Sequence, residues 1–142
     1  MYAVSNERRG TGYRSRTVNA AFKMAGKTGT SQVRRITAAE RARGVTRNQD
    51  LPWERRDHAL WVNYAPFGNP RIAVSVIVEH GGGGSTAAAP IGRDITLRAL
   101  YGDTPPLSAY PNAARADVRN TFRQMEALLR SLDSDRSQGT KA

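Results

Sequence analysis

Two β-rich runs joined by a short turn constrain the fold of this chain more than any other feature of its sequence. Residues 58–66 read HALWVNYAP and alternate aromatic or branched side chains with others, and residues 71–79 read RIAVSVIVE. The intervening residues 67–70 contain glycine, asparagine and proline, which favour turns. A short connection between two such runs predicts an antiparallel hairpin.

A third β-rich segment carries a notable combination of functional groups. Residues 26–33 read GKTGTSQV, so residues 27–30 offer one cation, two hydroxyls and one position without a side chain. Apolar and β-branched residues flank the run, and we therefore place residues 27–33 on a strand. The edge of such a strand can bind a carboxylate through its ammonium, hydroxyl and amide groups.

Residues 34–57 are rich in arginine and are predicted to form a long excursion between this strand and the hairpin, with one helical turn at 38–43. The chain has 22 Lys and Arg residues against 12 Asp and Glu residues, a net charge of +10. That excess makes a basic, non-enzymatic module that binds nucleic acid or a cell-wall polyanion an alternative function. Basic residues in such numbers more often form an ordinary solvent-exposed surface than a binding site. We therefore do not favour nucleic acid as a partner.

A helix is predicted after the hairpin, over residues 87–100, following the four glycines at 81–84. Ser85 or Thr86 is expected to cap it, and Pro90 falls in its first turn, where a missing N–H costs little. Its expected apolar anchors are Ile91, Ile95 and Leu97.

A second helix is predicted over residues 113–132. Apolar residues recur there every three to four positions and form one stripe: Val118, Phe122, Met125, Leu129 and Leu132. We favour docking of this stripe on the chain's own domain over a partner-binding or coiled-coil helix. Residues 134–142 are polar and are expected to form a frayed tail.

Length and composition set further limits. A chain of 142 residues with 39% hydrophobic residues can form one compact domain. It contains no cysteine, which excludes disulfides and thiolate metal sites. Its apolar runs are much shorter than the roughly 20 residues of a spanning helix. We therefore expect neither a transmembrane segment nor a signal peptide in these residues.

Histidine and aromatic residues are better explained by structural roles. His58 and His80 have no carboxylate or cysteine at ligand spacing, so we predict no metal site and no cofactor. Trp61, Tyr64 and Phe67 are predicted to form the core and rim of the hairpin.

A phosphate-binding loop is the nearest competing interpretation of the GKT triplet. The pattern G-x-x-x-x-G-K-[ST] requires glycine where this chain has Ala21. No apolar strand leads directly into the run, and Gly29, Thr30 and Val33 would begin a helix poorly. We therefore favour the strand.

An ordered series of motifs resembles one enzyme family. The motifs are MAGKTGTSQV at 24–33, HALW at 58–61, YAP at 64–66, VEHGGGGS at 78–85 and AAPI at 88–91. The KTG triplet resembles the third signature of the serine penicillin-recognising enzymes. Over residues 1–110 the series resembles the C-terminal part of the transpeptidase domain of elongation-type class B penicillin-binding proteins (penicillin-binding protein 2). Residues 10–12, GTG, are similar to the Gly-Thr-Ala segment that precedes the signature in that family.

This resemblance implies a mixed α/β (α+β) fold of the penicillin-binding protein and serine β-lactamase kind. Its last three strands would be antiparallel, with a C-terminal helix returning across one face of the sheet. Residues 1–110 would belong to the transpeptidase domain, and residues 111–142 would form an amphipathic helix and polar tail. The implied activity is penicillin-sensitive D,D-transpeptidation, which crosslinks peptidoglycan through an acyl-serine.

Four residues take site roles by the same resemblance. Lys27 would attract the terminal carboxylate of a stem peptide or a β-lactam, and Thr28 and Thr30 would offer it hydroxyls. Gly29 would let the ligand backbone approach the strand. The Thr30 amide would complete an oxyanion hole, in which one donor is typically worth about a hundredfold to a thousandfold in rate.

The chain departs from the family pattern at the nucleophile. No serine has lysine three positions later or asparagine two positions later, so neither S-x-x-K nor S-x-N is present. We therefore expect a fragment, beginning within an apolar helix, that holds part of the donor site and is inactive alone. Expected partners are the N-terminal part of the same enzyme and membrane proteins of the elongation machinery. The parent enzyme is expected in the inner membrane, with its catalytic domain in the periplasm.

Overall fold

The structure, a computed structural model, describes residues 1–139, with side chains described up to residue 134. At its centre is a three-stranded antiparallel sheet in the order β1 (Ala25–Ser31), β2 (His58–Ala65) and β3 (Ile72–Val78). Trp61 on β2 lies opposite Thr28 on β1 and Val76 on β3. The predicted hairpin and the antiparallel order of the three strands are confirmed.

The first strand differs from its predicted bounds of 27–33. Its ladder with β2 begins at the pair Ala25 and Tyr64 and ends at Ser31 and His58, the first residue of β2. Residues 32 and 33 extend past the end of β2 and have no ladder pair, and the Val33 N–H donates instead to Asp57 Oδ1 at 3.4 Å. Because residues 26–28 lie within the strand, a phosphate-binding loop is excluded.

The centre of the core is filled by Trp61. Its fully buried ring packs so closely on Gly26 and Gly92 that neither position has room for a Cβ. The indole Nε1 donates to Asn63 Oδ1 at 2.7 Å, and Asn63 Nδ2 donates to Thr96 Oγ1 at 2.8 Å. Thr96 Oγ1 in turn donates to the Gly92 carbonyl at 2.7 Å. This buried network joins the sheet to the helix above it.

That helix is α3 (Ala89–Tyr101), which follows a π-helical turn at Gly84–Ala88 and packs on β2 and β3. The predicted helix returning across one face of the sheet, and Pro90 in its first turn, are confirmed. The predicted cap is wrong, because α3 continues directly from the π-helical turn without a side-chain cap. Thr86 Oγ1 instead donates to the Gly83 carbonyl at 3.0 Å.

The predicted anchors of α3 are partly wrong. Leu97 is fully buried, but Ile91 and Ile95 are exposed. The side of α3 that meets Trp61 is lined by small residues, including Gly92 and Thr96, because the indole occupies the available depth.

Helix α1 (Tyr2–Asn6) packs on β1 and buries Ser5, whereas α2 (Ala38–Arg43) has no buried residue. The helical turn predicted at 38–43 is confirmed. Thr37 caps it by accepting the Glu40 N–H at 3.2 Å, and Arg34 donates twice to the Glu40 carboxylate at 2.6 Å. The Arg34 guanidinium lowers the pKa of Glu40 to about 2.

The last helix, α4 (Arg115–Gly139), is longer than the predicted 113–132 and includes the start of the predicted tail. Residues 140–142 lie outside the described residues.

Val118 and Phe122 of α4 pack with Leu97 and Tyr110, and burial raises the pKa of Tyr110 to about 12. The rest of the predicted stripe is exposed, so docking of the whole stripe on the domain is wrong. Every helix within residues 1–139 is too short or too polar to span a bilayer.

Candidate functional site

One edge of β1 is free of any neighbouring strand in the part of the chain that the structure describes. The Gly26 N–H donates to Ser5 Oγ at 2.9 Å, and the Asn6 amide donates to the Met24 carbonyl at 2.9 Å. Both bonds lie on the side of β1 that faces away from β2. The N–H and C=O groups of alternate residues point to the same edge of an antiparallel strand, so those of Thr28 and Thr30 also point to this open edge.

The start of the open edge is covered, whereas its end is accessible. Helix α1 covers residues 24–26 through Ser5 and Asn6. Thr30 and Ser31 at the far end are exposed. A ligand in extended conformation could therefore pair with the strand only beyond Gly26.

Lys27 and Thr28 are held by neighbours at the middle of this edge. The Lys27 ammonium is exposed and donates to the Thr28 carbonyl at 2.7 Å. The hydroxyl of half-buried Thr28 lies 2.9 Å from the hydroxyl of Thr11. The ammonium is thus already turned toward the edge at which Thr30 presents its amide.

The four predicted site residues lie on one strand but on both faces of the sheet. Thr28 and Thr30 stand opposite Trp61 and Ala59 and share their face, whereas Lys27 stands opposite Val62 on the other face. Of these groups, the Lys27 ammonium is brought to the open edge by its hydrogen bond to the Thr28 carbonyl.

The backbone of Gly29 is closely packed by β2 and by the end of the glycine run. A Cβ at Gly29 would lie 3.1 Å from the Leu60 Cβ, so that side is occupied by the neighbouring strand. Gly84, at the end of the glycine run, packs on β1 and β2: a Cβ there would overlap the Leu60 carbonyl and lie 2.5 Å from the Gly29 carbonyl. The glycine run thus supports the strand that carries the site.

The two histidines lie together near the far end of β1. The His80 N–H donates to His58 Nδ1 at 2.9 Å, and His80 Nδ1 lies 3.0 Å from the Arg56 carbonyl. Ser31, the last residue of β1, pairs with His58. The described residues contain no group of three or more His, Cys, Asp or Glu side chains that are placed to hold a metal ion.

Sequence reasoning missed several of these contacts. Ser5, Asn6 and Gly84 were not predicted to touch β1, and no local pattern distinguishes them. Thr11 lies in the GTG segment that the family resemblance had singled out, which was the one available sign of its position beside Thr28.

Comparisons with known proteins extend over most of the chain. A model of the penicillin-binding protein transpeptidase domain matches residues 1–97. The peptidoglycan D,D-transpeptidase MrdA of Haemophilus influenzae is 40% identical over 95 residues, which are 67% of this chain and 14% of that protein. The Escherichia coli K12 protein of the same name is 38% identical over 104 residues, 72% of this chain and 15% of the relative.

A solved structure shows the same relationship. The penicillin-binding protein PBP2 of Helicobacter pylori, solved in complex with MreC, is 31% identical and has a TM-score of 0.52. The match covers 72% of this chain and 16% of that one. The aligned part of the chain thus corresponds to about one seventh of the length of these relatives.

Proposed function

This chain belongs to the penicillin-binding protein transpeptidase family, and we propose that it forms one wall of the donor-peptide site of a peptidoglycan D,D-transpeptidase. The open edge of β1 is the observation that carries this proposal. From Thr28 to Thr30 the edge offers backbone groups, hydroxyls and an ammonium to an extended ligand. A stem peptide and a β-lactam both end in a carboxylate that such an edge can bind.

Three of the site residues contact the ligand through side chains or an amide in this proposal. Lys27 attracts the ligand carboxylate, and the hydroxyls of Thr28 and Thr30 donate hydrogen bonds to it. The Thr30 amide stabilises the oxyanion that forms when the ligand carbonyl is attacked. Its orientation toward the open edge follows from that of the Gly26 N–H, four residues earlier on the same side.

The nucleophile is supplied from outside these residues. In the proposed reaction a serine attacks the penultimate D-alanine carbonyl of the donor peptide, the terminal D-alanine leaves, and an acceptor amine resolves the acyl-enzyme. No serine of this chain has a lysine three positions later, as in the S-x-x-K signature of this family. These residues therefore bind the donor and stabilise the oxyanion but do not form the acyl-enzyme themselves.

Partners and location follow from the family. We infer that the N-terminal part of the same transpeptidase completes the site. We also infer that the enzyme works at the periplasmic face of the inner membrane together with proteins of the elongation machinery. The complex of a homologous PBP2 with MreC supports an assembly of this kind.

Polyanion binding is less well supported. Several arginines of the excursion already have partners: Arg34 pairs with Glu40, Arg47 with Asp50, and Arg56 donates to the Leu51 carbonyl. These contacts orient the three guanidinium groups toward acceptors of the chain itself.

Intact-mass spectrometry after incubation with a fluorescent penicillin tests the nucleophile assignment. We expect no covalent adduct on the 142-residue chain, and the same result for Lys27→Gln. A stoichiometric adduct on the folded chain that is absent after denaturation would contradict the assignment, because it would require an activated nucleophile within these residues.

A further inference from the structure

The second half of α4 carries large apolar side chains that are more than half exposed. Met125, Leu128, Leu129 and Leu132 are 55%, 60%, 58% and 54% exposed. Phe122, one turn earlier, is half-buried beside Tyr110, with ring centroids 6.2 Å apart. A contiguous exposed apolar row on a polar helix is typical of an interaction surface.

A groove continues this row toward the body of the protein. It has a volume of about 280 Å³, and its apolar lining comprises Pro105, Tyr110, Val118, Phe122, Met125 and Leu129. An apolar side chain from a second molecule could fill this groove and cover the row at the same time.

We propose that this surface mediates self-association, with the α4 helices of two copies packed antiparallel about a two-fold axis. Phe122, Met125, Leu129 and Leu132 are separated by three, four and three residues, which is the spacing of a coiled-coil seam. The seam is short, so the dimer is expected to be weak. This proposal does not depend on the proposed transpeptidase function.

In the proposed register Met125 of one copy packs against Leu129 of the other, Phe122 packs against Leu132, and the two-fold axis repeats both layers. Leu128 then meets Leu128 of the second copy beside the seam. Leu132 of each copy reaches the layer of Phe122, next to the apolar groove of the other.

Charge complementarity supports the same register. The residues that flank an antiparallel seam on one side are Arg119, Glu126 and Asp133, all of them exposed. Arg119 of each copy faces Asp133 of the other, which gives two opposite-charge pairs. Glu126 faces Glu126 across the axis, which is the one unfavourable contact.

Other arrangements of two α4 helices fit less well. A parallel pair would place Leu128 opposite Asp133 and would form no flanking ion pair. An antiparallel pair shifted by one heptad would join Arg119 to Glu126, but it would require Val118 in the seam. Val118 is only 6% exposed and packs against its own domain.

Sedimentation equilibrium of the 142-residue chain over a concentration series tests the proposal. We expect a monomer–dimer equilibrium whose dissociation constant rises at least about tenfold in Leu132→Glu, because a charge would be buried in the seam. The matched control is Val45→Glu, an exposed valine in the excursion, which should leave the constant unchanged. Far-ultraviolet circular dichroism should show that both variants keep their helix content.

Charge variants test the register. Arg119→Asp should weaken the dimer several-fold, and adding Asp133→Arg to it should restore the affinity, because the pairs then re-form with reversed sign. Glu126→Gln should strengthen the dimer by roughly threefold, because the like-charge contact is removed.

Three results would overturn the proposal. One is a monomer at every concentration. Another is association that survives Leu132→Glu but is lost in Ile77→Glu, which would place the contact on the open face of the sheet, where Ile77 is exposed. The third is a weaker dimer in Glu126→Gln, which would indicate the shifted register.

Discussion

The hydroxyls of Thr11 and Thr28 lie 2.9 Å apart and join the loop after α1 to the middle of β1. The loop is itself fixed, because Gly12 packs on the Trp61 ring with room for no side chain: a Cβ there would lie 2.8 Å from the ring. The core tryptophan thus sets the position of the loop, and the loop orients the hydroxyl of Thr28 at the proposed site.

Replacing Thr11 should weaken ligand binding without unfolding the chain. In Thr11→Val the Thr28 hydroxyl loses its partner, and we expect affinity for an acetylated D-alanyl-D-alanine peptide to fall about threefold to tenfold. Thr11→Ser keeps a hydroxyl and serves as the control. Equal affinity in all three proteins, measured by nuclear magnetic resonance titration, would show that Thr11 does not position Thr28.

Gly84 should tolerate no larger residue. A Cβ there would overlap the Leu60 carbonyl and crowd that of Gly29, so we expect Gly84→Ala to lower the free energy of unfolding by about 1–3 kcal/mol. Gly68→Ala is the matched control, because nothing lies within 4 Å of the position that its Cβ would take. Chemical denaturation should separate the two variants, and similar stabilities would contradict the close packing of the glycine run on β1.

Asn63 should be more important for stability than its size suggests. Asn63→Ala would leave the buried indole N–H of Trp61 without its acceptor, and Thr96 Oγ1 without its donor. We expect a loss of roughly 2–4 kcal/mol in the free energy of unfolding. The exposed Asn69→Ala should cost much less, and a comparable loss there would argue against the buried network.

Acid should open the Arg34–Glu40 ion pair only at low pH. The pKa of Glu40 is lowered from 4.5 to about 2, so its contribution to stability is full above pH 4.5 and is lost as the pH falls toward 2. The carboxyl carbon shift of Glu40 should therefore titrate near pH 2. Arg34→Gln should raise that midpoint toward the ordinary value, and a midpoint near 4.5 in the unaltered chain would contradict the ion pair.

The sequence predicted the sheet well because the hairpin and the signature strand depend on local alternation and turn residues. The predicted burial of Ile91 and Ile95 on α3 was wrong, because both residues have helical spacing but are exposed. Trp61 fills the space beneath the helix, and only the small residues Gly92 and Thr96 fit against it. No local pattern could reveal that contact, because it joins residues about 30 positions apart.

The binding roles of the candidate site residues stay a prediction, whereas the structure describes their surroundings, which the sequence did not predict. The motif resemblance pointed to Lys27, Thr28, Gly29 and Thr30. The covering of the strand's start by Ser5 depends on the path of the chain between α1 and β1, which the sequence pattern does not specify. The division of Lys27 and the threonines between two faces follows from strand alternation and could have been foreseen.

One titration tests the central claim, that the open edge of β1 binds a ligand carboxylate. Amide shifts of the ¹⁵N-labelled chain would be followed during addition of acetylated D-alanyl-D-alanine, with its C-terminal amide as a matched uncharged ligand. We predict saturable shifts at residues 27–30, largest at the Thr30 amide, that are lost with the uncharged ligand and in Lys27→Gln. Shifts that are absent from these residues, or equal for the two ligands, would contradict the account.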